Sequence, residues 1–185
     1  MRLFIGVELD ERVKTRAVQI ADALREKLGR RVTARWIAPD NLHITLWFIG
    51  EVADDRAAAI ISAVNAPFTT RRFDLEVRGA GAFPPHGAPR VFWIGVGEGQ
   101  EPMKALYEEL AARLQPLGFE RERREYSAHL TIARVSDCAS REVRNLVREI
   151  DANAGRCRIA AVTVFRSRLS PKGATYEPLV RVALE

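Results

Sequence analysis

Cysteine, histidine and lysine are scarce in this chain, and each scarcity removes a class of chemistry. The two cysteines, Cys138 and Cys157, lie far apart and lack CxxC spacing, so no disulfide framework is implied and free thiols in a cytoplasmic setting are expected. Three histidines and two cysteines scattered without metal-ligand spacing speak against a zinc site. No acidic pair accompanies His43 or His129, and neither a metal nor a cofactor is expected. No apolar run is long enough to span a bilayer, so no membrane partner is expected. The stretch from Met1 to Leu9 is apolar but short and runs directly into charge, which reads as a buried first strand rather than a secretion signal. Low-complexity segments and obvious linkers are missing too. A single domain over residues 1–185, made of two intimately packed lobes and present as a monomer, is the expectation.

What is present is an ordinary globular composition, 47% hydrophobic and 29% charged, with a net charge of +5. The basic excess fits a polyanionic partner such as RNA. Lysine occurs only at 14, 27, 104 and 172, so arginine supplies nearly all of the 29 basic residues. Its planar fork suits phosphate, although a GC-rich genome produces the same bias.

One tetrapeptide pattern occurs twice: His43-Ile44-Thr45-Leu46 and His129-Leu130-Thr131-Ile132. Both copies sit in apolar runs that read as strands. Alternation along a strand puts His43 and Thr45 on one face and Ile44 and Leu46 on the other, and the second copy repeats this with His129 and Thr131. Two such strands side by side bring two imidazoles and two hydroxyls into one pocket, which is equipment for acid–base chemistry on a phosphate.

The remaining pattern alternates strands with helices. Strands are expected at 2–9, 32–37, 42–49 (ended by Gly50), 73–78, 91–96, 128–133, 159–166 and 176–184. Helices are expected at 10–28, capped by Asp10 and stopped by Gly29, and at 53–65, 101–115 and 140–151. A Gly/Pro-rich loop is expected at 79–89 and a turn at Ser170-Pro171-Lys172-Gly173. The two motifs stand nearly half a chain apart and each is flanked by helices. An α+β fold with a pseudo-two-fold pair of mainly antiparallel sheets, outer helices and a cleft between the lobes follows.

These residues resemble the two-histidine (2H) phosphoesterase superfamily, marked by one His-x-Thr/Ser motif per lobe. Trp36, Asn41-Leu42-His43-Ile44-Thr45-Leu46 and Phe48-Ile49-Gly50 are similar to the first-motif region of its bacterial and archaeal RNA 2′,3′-cyclic phosphodiesterases, the LigT branch, once called 2′-5′ RNA ligases. Arg2-Leu3-Phe4-Ile5, Arg90 to Gly95, His129 to Arg134 and Tyr176-Glu177-Pro178-Leu179 extend the likeness over nearly the whole chain. The resemblance implies metal-independent opening of an RNA-terminal 2′,3′-cyclic phosphate to a 2′-phosphate. In that reading His43 is the acid that protonates the ribose 3′ oxygen and His129 the base that activates water. Thr45 and Thr131 would hold the phosphate oxygens, with Arg134 adding charge if a bulge turns it inward, since strict alternation from His129 points it away. Trp36, Phe48, Trp93 and Tyr176 are candidates to stack on a base or to wall the cleft. His86 is assigned to a surface loop, and Arg121, Arg123 and Arg124 either steer RNA or simply face solvent. Ligation by the reverse reaction and non-catalytic binding of RNA phosphate are the alternatives.

Overall fold

Residues 3–7, Leu-Phe-Ile-Gly-Val, are buried on both faces, as an interior strand must be. They form β1 (Arg2–Glu8) in a computed structural model that describes residues 1–138, 142–171 and 173–185. Asp10 then caps α1 (Glu11–Leu28), its carboxylate accepting the Val13 N–H at 2.8 Å. The apolar stripe Val13, Ala17, Ile20, Leu24 and Leu28 is the buried face of that helix. The chain continues through β2 (Val32–Trp36), β3 (His43–Glu51), α2 (Asp54–Val64), β4 (Phe73–Phe83), β5 (Val91–Val96), α3 (Gln100–Leu114), β6 (His129–Cys138), α4 (Val143–Arg148), β7 (Asn153–Ile159), β8 (Ala161–Ser170) and β9 (Gly173–Ala183).

The fold is α+β, and every strand pair is antiparallel. The order β7-β4-β5-β6-β3-β1-β8-β9, with β2 added on β6, reads the same from either end as four strands meeting four strands. The two sheets expected from the sequence are thus two halves of one nine-stranded sheet, joined where β6 meets β3 through the pair Ile44 and Leu130. Helices are exchanged across this seam. The α1 helix, which follows β1, packs on β7 and β6, and α3, which follows β5, packs on β3.

Three expectations need correction. The Gly/Pro loop is shorter than 79–89, because β4 runs on to Phe83. Gly79 sits in an irregularity at φ 77°, and Gly81 is required by packing rather than turning: a Cβ there would lie 2.2 Å from the Trp93 ring. β3 continues through Gly50, at φ 84°, to Glu51. β7 had no expected counterpart, since Asn-Ala-Gly-Arg-Cys-Arg-Ile is almost free of β-branched and aromatic residues. Pairing along β4, together with an Arg158–Asp74 ion pair at 2.7 Å, places it at the edge. Of the expected helix at 140–151, α4 covers only Val143–Arg148 and residues 149–151 fall outside it, while residues 140 and 141 lie outside the described residues, as does Lys172 of the expected turn.

Candidate active site

The seam between the halves builds the site. Ile44 and Leu130 are fully buried and face each other across it. Residues on either side of them point to the opposite face of the sheet, so His43, Thr45, His129 and Thr131 share that face. The antiparallel register sets His43 beside Thr131 and His129 beside Thr45. The duplicated tetrapeptide therefore closes on itself as a four-cornered cluster.

Both imidazoles are oriented by the same device. His43 Nδ1 lies 2.7 Å from the Asn41 carbonyl and His129 Nδ1 lies 2.7 Å from the Ser127 carbonyl, in each case two residues back. A carbonyl only accepts, so Nδ1 carries the proton and Nε2 is the ring nitrogen left to accept one. His43 Nε2 lies 3.0 Å from the Thr45 hydroxyl, which donates to it when the ring is neutral. Burial lowers the His43 pKa from 6.5 to about 4, and the Arg134 and His129 charges push it the same way. His129 is lowered too, by burial first and then by Arg134. Both rings are held neutral near pH 7 when no anion is present.

A bulge in each motif strand supplies the next two groups. The β5–β6 ladder pairs Phe92 with Ala133 and Trp93 with Thr131, passing over Ile132. The β1–β3 ladder pairs Ile5 with Trp47 and Gly6 with Thr45, passing over Leu46. Ile132 and Ala133 are accordingly both buried, as are Leu46 and Trp47, and the alternation resumes out of phase. Arg134 and Phe48, each five residues after a motif histidine, thereby turn onto the motif face. The bulge needed to bring Arg134 to the site is present.

Two adjoining cavities share Thr45 and Phe48. The larger, about 660 Å³, holds His43 and Thr131, and its charged lining among the described residues is Arg2, Arg35 and Arg134. The smaller, about 260 Å³, holds His129 and is walled by Phe83, Tyr107 and Tyr126, with Glu120, Glu122, Arg124 and Glu125 around it. Among the described residues, no three His, Cys, Asp or Glu side chains gather to hold a metal ion. No described helix is long and apolar enough to cross a membrane.

The profile of the 2′-5′ RNA ligase superfamily matches residues 10–170. The chain belongs to this superfamily. An RNA 2′,3′-cyclic phosphodiesterase of Archaeoglobus fulgidus is 35% identical over 97% of this chain and 98% of its own length, and one of Thermotoga maritima is 32% identical over 100% and 96%. Among solved structures, a Thermus thermophilus protein aligns with a TM-score of 0.82 at 26% identity, covering 100% of this chain and 98% of its own. E. coli LigT complexed with 3′-AMP shares the fold, with a TM-score of 0.78 at 24% identity over 99% and 97% of the two chains. The family read from the two motifs is the family of the chain, and relatives at 32–35% identity over nearly its whole length, named as cyclic phosphodiesterases, make it a phosphoesterase.

Within this superfamily frame the other candidates take distinct places. Phe48 is 53% exposed, with the Arg2 guanidinium 5.1 Å over its ring. Tyr176 stands edge-on to His43 at 5.1 Å, and Phe4 lies against the same imidazole at 4.6 Å. Trp93 lies 6.4 Å from His129 and packs on Phe83. Trp36 lines the larger cavity and touches Phe92. His86 is exposed; Arg121 pairs with Glu108, Arg123 faces solvent, and Arg124 lines the smaller cavity. Arg2, Arg35 and Tyr126 were not among the expected site residues, because their place depends on which distant segments meet in the fold; nor was Asn41, which acts on His43 through its backbone carbonyl, a group that no residue type marks.

Proposed function

We propose that the protein hydrolyses RNA-terminal 2′,3′-cyclic phosphates to 2′-phosphates, with His43 as general acid and His129 as general base. The observation that carries this reading is the pairing of two Nδ1-anchored imidazoles with two threonines across one seam. A cyclic phosphate set among these four groups has a base on the side where water enters and an acid on the side where the ribose 3′ oxygen departs. His129 Nε2 takes a proton from water as its oxygen bonds to phosphorus. His43 gives a proton to the 3′ oxygen as the P–O bond breaks. The Thr45 and Thr131 hydroxyls and the Arg134 guanidinium hold the non-bridging oxygens.

The acid must be protonated to act, and with a pKa near 4 the free His43 is not. The substrate supplies the remedy: its negative phosphate offsets Arg134 and raises the affinity of His43 for a proton. The names of the curated relatives support this substrate class. Phe48 beneath Arg2 and the ring of Tyr176 offer surfaces for a base at the mouth of the larger cavity.

The test is a short RNA ending in a 2′,3′-cyclic phosphate, incubated in EDTA, with the product end identified by chromatography. A 2′-phosphate is expected from the unmutated protein, with a loss of at least about a hundredfold in His43→Ala and His129→Ala. Arg134→Ala is expected to lower kcat/KM as well. A strict metal requirement, or histidine variants that turn over normally, would sink the two-histidine reading. A 3′-phosphate product would reverse the assignment of the leaving oxygen.

A further inference from the structure

The carbonyl that orients the first histidine is fastened twice. Asn41 sits in a short turn closed by the Asn41 N–H on the Ala38 carbonyl and the Leu42 N–H on the Pro39 carbonyl, at 2.9 and 3.1 Å. The Asn41 side-chain amide also donates to the Ala174 carbonyl on β9 at 2.7 Å. The equivalent carbonyl of the second motif, on Ser127, has a different setting. Residues 120–128 form neither helix nor strand, and Ser127 itself is exposed. Glu125 and Arg121 pair with Lys104 and Glu108 of α3, and Tyr126 reaches the sheet itself: its O–H donates at 3.1 Å to the carbonyl of Thr45, 81 residues away. Its ring stacks on Tyr107 with centroids 4.6 Å apart and planes 10° apart, and Tyr107 stacks in turn on the buried Trp47 at 5.0 Å. This aromatic column fixes the plane of the phenol and the direction in which its hydroxyl points.

We propose that Tyr126 is a positioning residue that sets His129 in register with the first-motif strand, an inference that rests on His129 being the base. The connection runs through few bonds. The Thr45 carbonyl holds the Tyr126 hydroxyl, the next residue is Ser127, and the Ser127 carbonyl holds His129 Nδ1. The side chain of the same Thr45 meets His43 Nε2. One phenol thus links the orientation of the second imidazole to the residue that contacts the first. Burial raises the affinity of the Tyr126 hydroxyl for its proton, so it stays a donor across the working range.

Removing the hydroxyl while keeping the ring separates orientation from packing. Tyr126→Phe retains the stack and the Lys104–Glu125 ion pair at 3.0 Å but gives up the hydrogen bond to the Thr45 carbonyl, so the Ser127 carbonyl and with it His129 lose angular definition while substrate contacts stay in place. A loss of that kind appears in kcat rather than KM. The experiment measures kcat and KM of Tyr126→Phe on the cyclic-phosphate RNA, alone and in a His129→Ala background, with NMR of the His129 ring nitrogens. Expected are a kcat about tenfold lower, a KM within about twofold, and a melting temperature within a few degrees of the parent. The His129 nitrogen shifts should move from a single Nδ1–H tautomer toward a mixture, and Tyr126→Phe should cost nothing further once His129 is alanine. An unchanged kcat with unchanged nitrogen shifts overturns the inference, as does a tenfold loss that persists undiminished in the His129→Ala background. Full activity in His129→Ala alone would instead remove the base assignment on which the inference stands.

Discussion

His43 is the residue whose environment has the sharpest thermodynamic consequence. The unfolded chain takes up its proton near pH 6.5, whereas the folded chain resists until about pH 4 because the ring is buried beside Arg134. Above pH 6.5 neither state is charged at this position and it adds no pH dependence. As pH falls from 6.5 toward 4, the unfolded state binds the proton and the folded state does not, so stability is lost, by up to about 3 kcal/mol. Urea unfolding at pH 7.5 and at pH 4.5 should show this loss in the parent and a much smaller one in His43→Gln. Equal losses in the two proteins would mean that burial does not depress this imidazole. His129, also lowered, keeps a residual slope in the variant.

At the scale of the element, the motif strands are defined as much by their bulges and neighbours as by their histidines. Gly6 on β1 lies opposite Thr45, and a Cβ there would stand 2.7 Å from the Ile44 carbonyl and 3.4 Å from His43 Cδ2. The nearer atom is backbone at the seam and has nowhere to retreat. Gly6→Ala is therefore expected to destabilise the protein by roughly 1–3 kcal/mol and to shift the seam beside His43. Thermal melts together with kcat would check this; an alanine variant as stable and as active as the parent would show that the seam yields freely. The same element shows what the sequence could and could not reveal. The His-x-Thr spacing, the Asp10 cap and the stripe of α1 are local patterns and were legible. Which strand lies against which was not, because pairing is a property of the folded sheet. Arg134 shows the consequence: alternation points it away, and only the skipped Ile132 in the β5–β6 ladder turns it inward. β7 was illegible for another reason, since two of its three buried residues, Ala154 and Cys157, are too small to give a hydrophobic rhythm and the third, Ile159, stands at its end.

At the scale of the molecule, the cleft is electrically lopsided. The larger cavity, on the His43 side, presents Arg2, Arg35 and Arg134 and no described carboxylate, whereas the smaller, on the His129 side, has three glutamates to one arginine around it. The proposed RNA substrate would bring a chain of phosphates on its 5′ side, and that chain would be attracted to the arginine side. In the proposed reaction the nucleophile is water, which is neutral and would meet no penalty from the glutamates beside His129. This polarity predicts a difference between substrates of different length. Arg2→Ala and Arg35→Ala should each weaken an oligonucleotide bearing the cyclic phosphate and reduce the salt dependence of its KM by about 0.7 in the log–log slope, the single-strand value per phosphate contact. A 2′,3′-cyclic mononucleotide has no further phosphate to reach these side chains, so its kcat/KM should change little in the same variants. If both substrates lost equally, the arginines would be acting on the reacting phosphate itself. If neither changed, the RNA chain would have to leave the cleft by another route, and the basic excess of the chain would have no part in holding it.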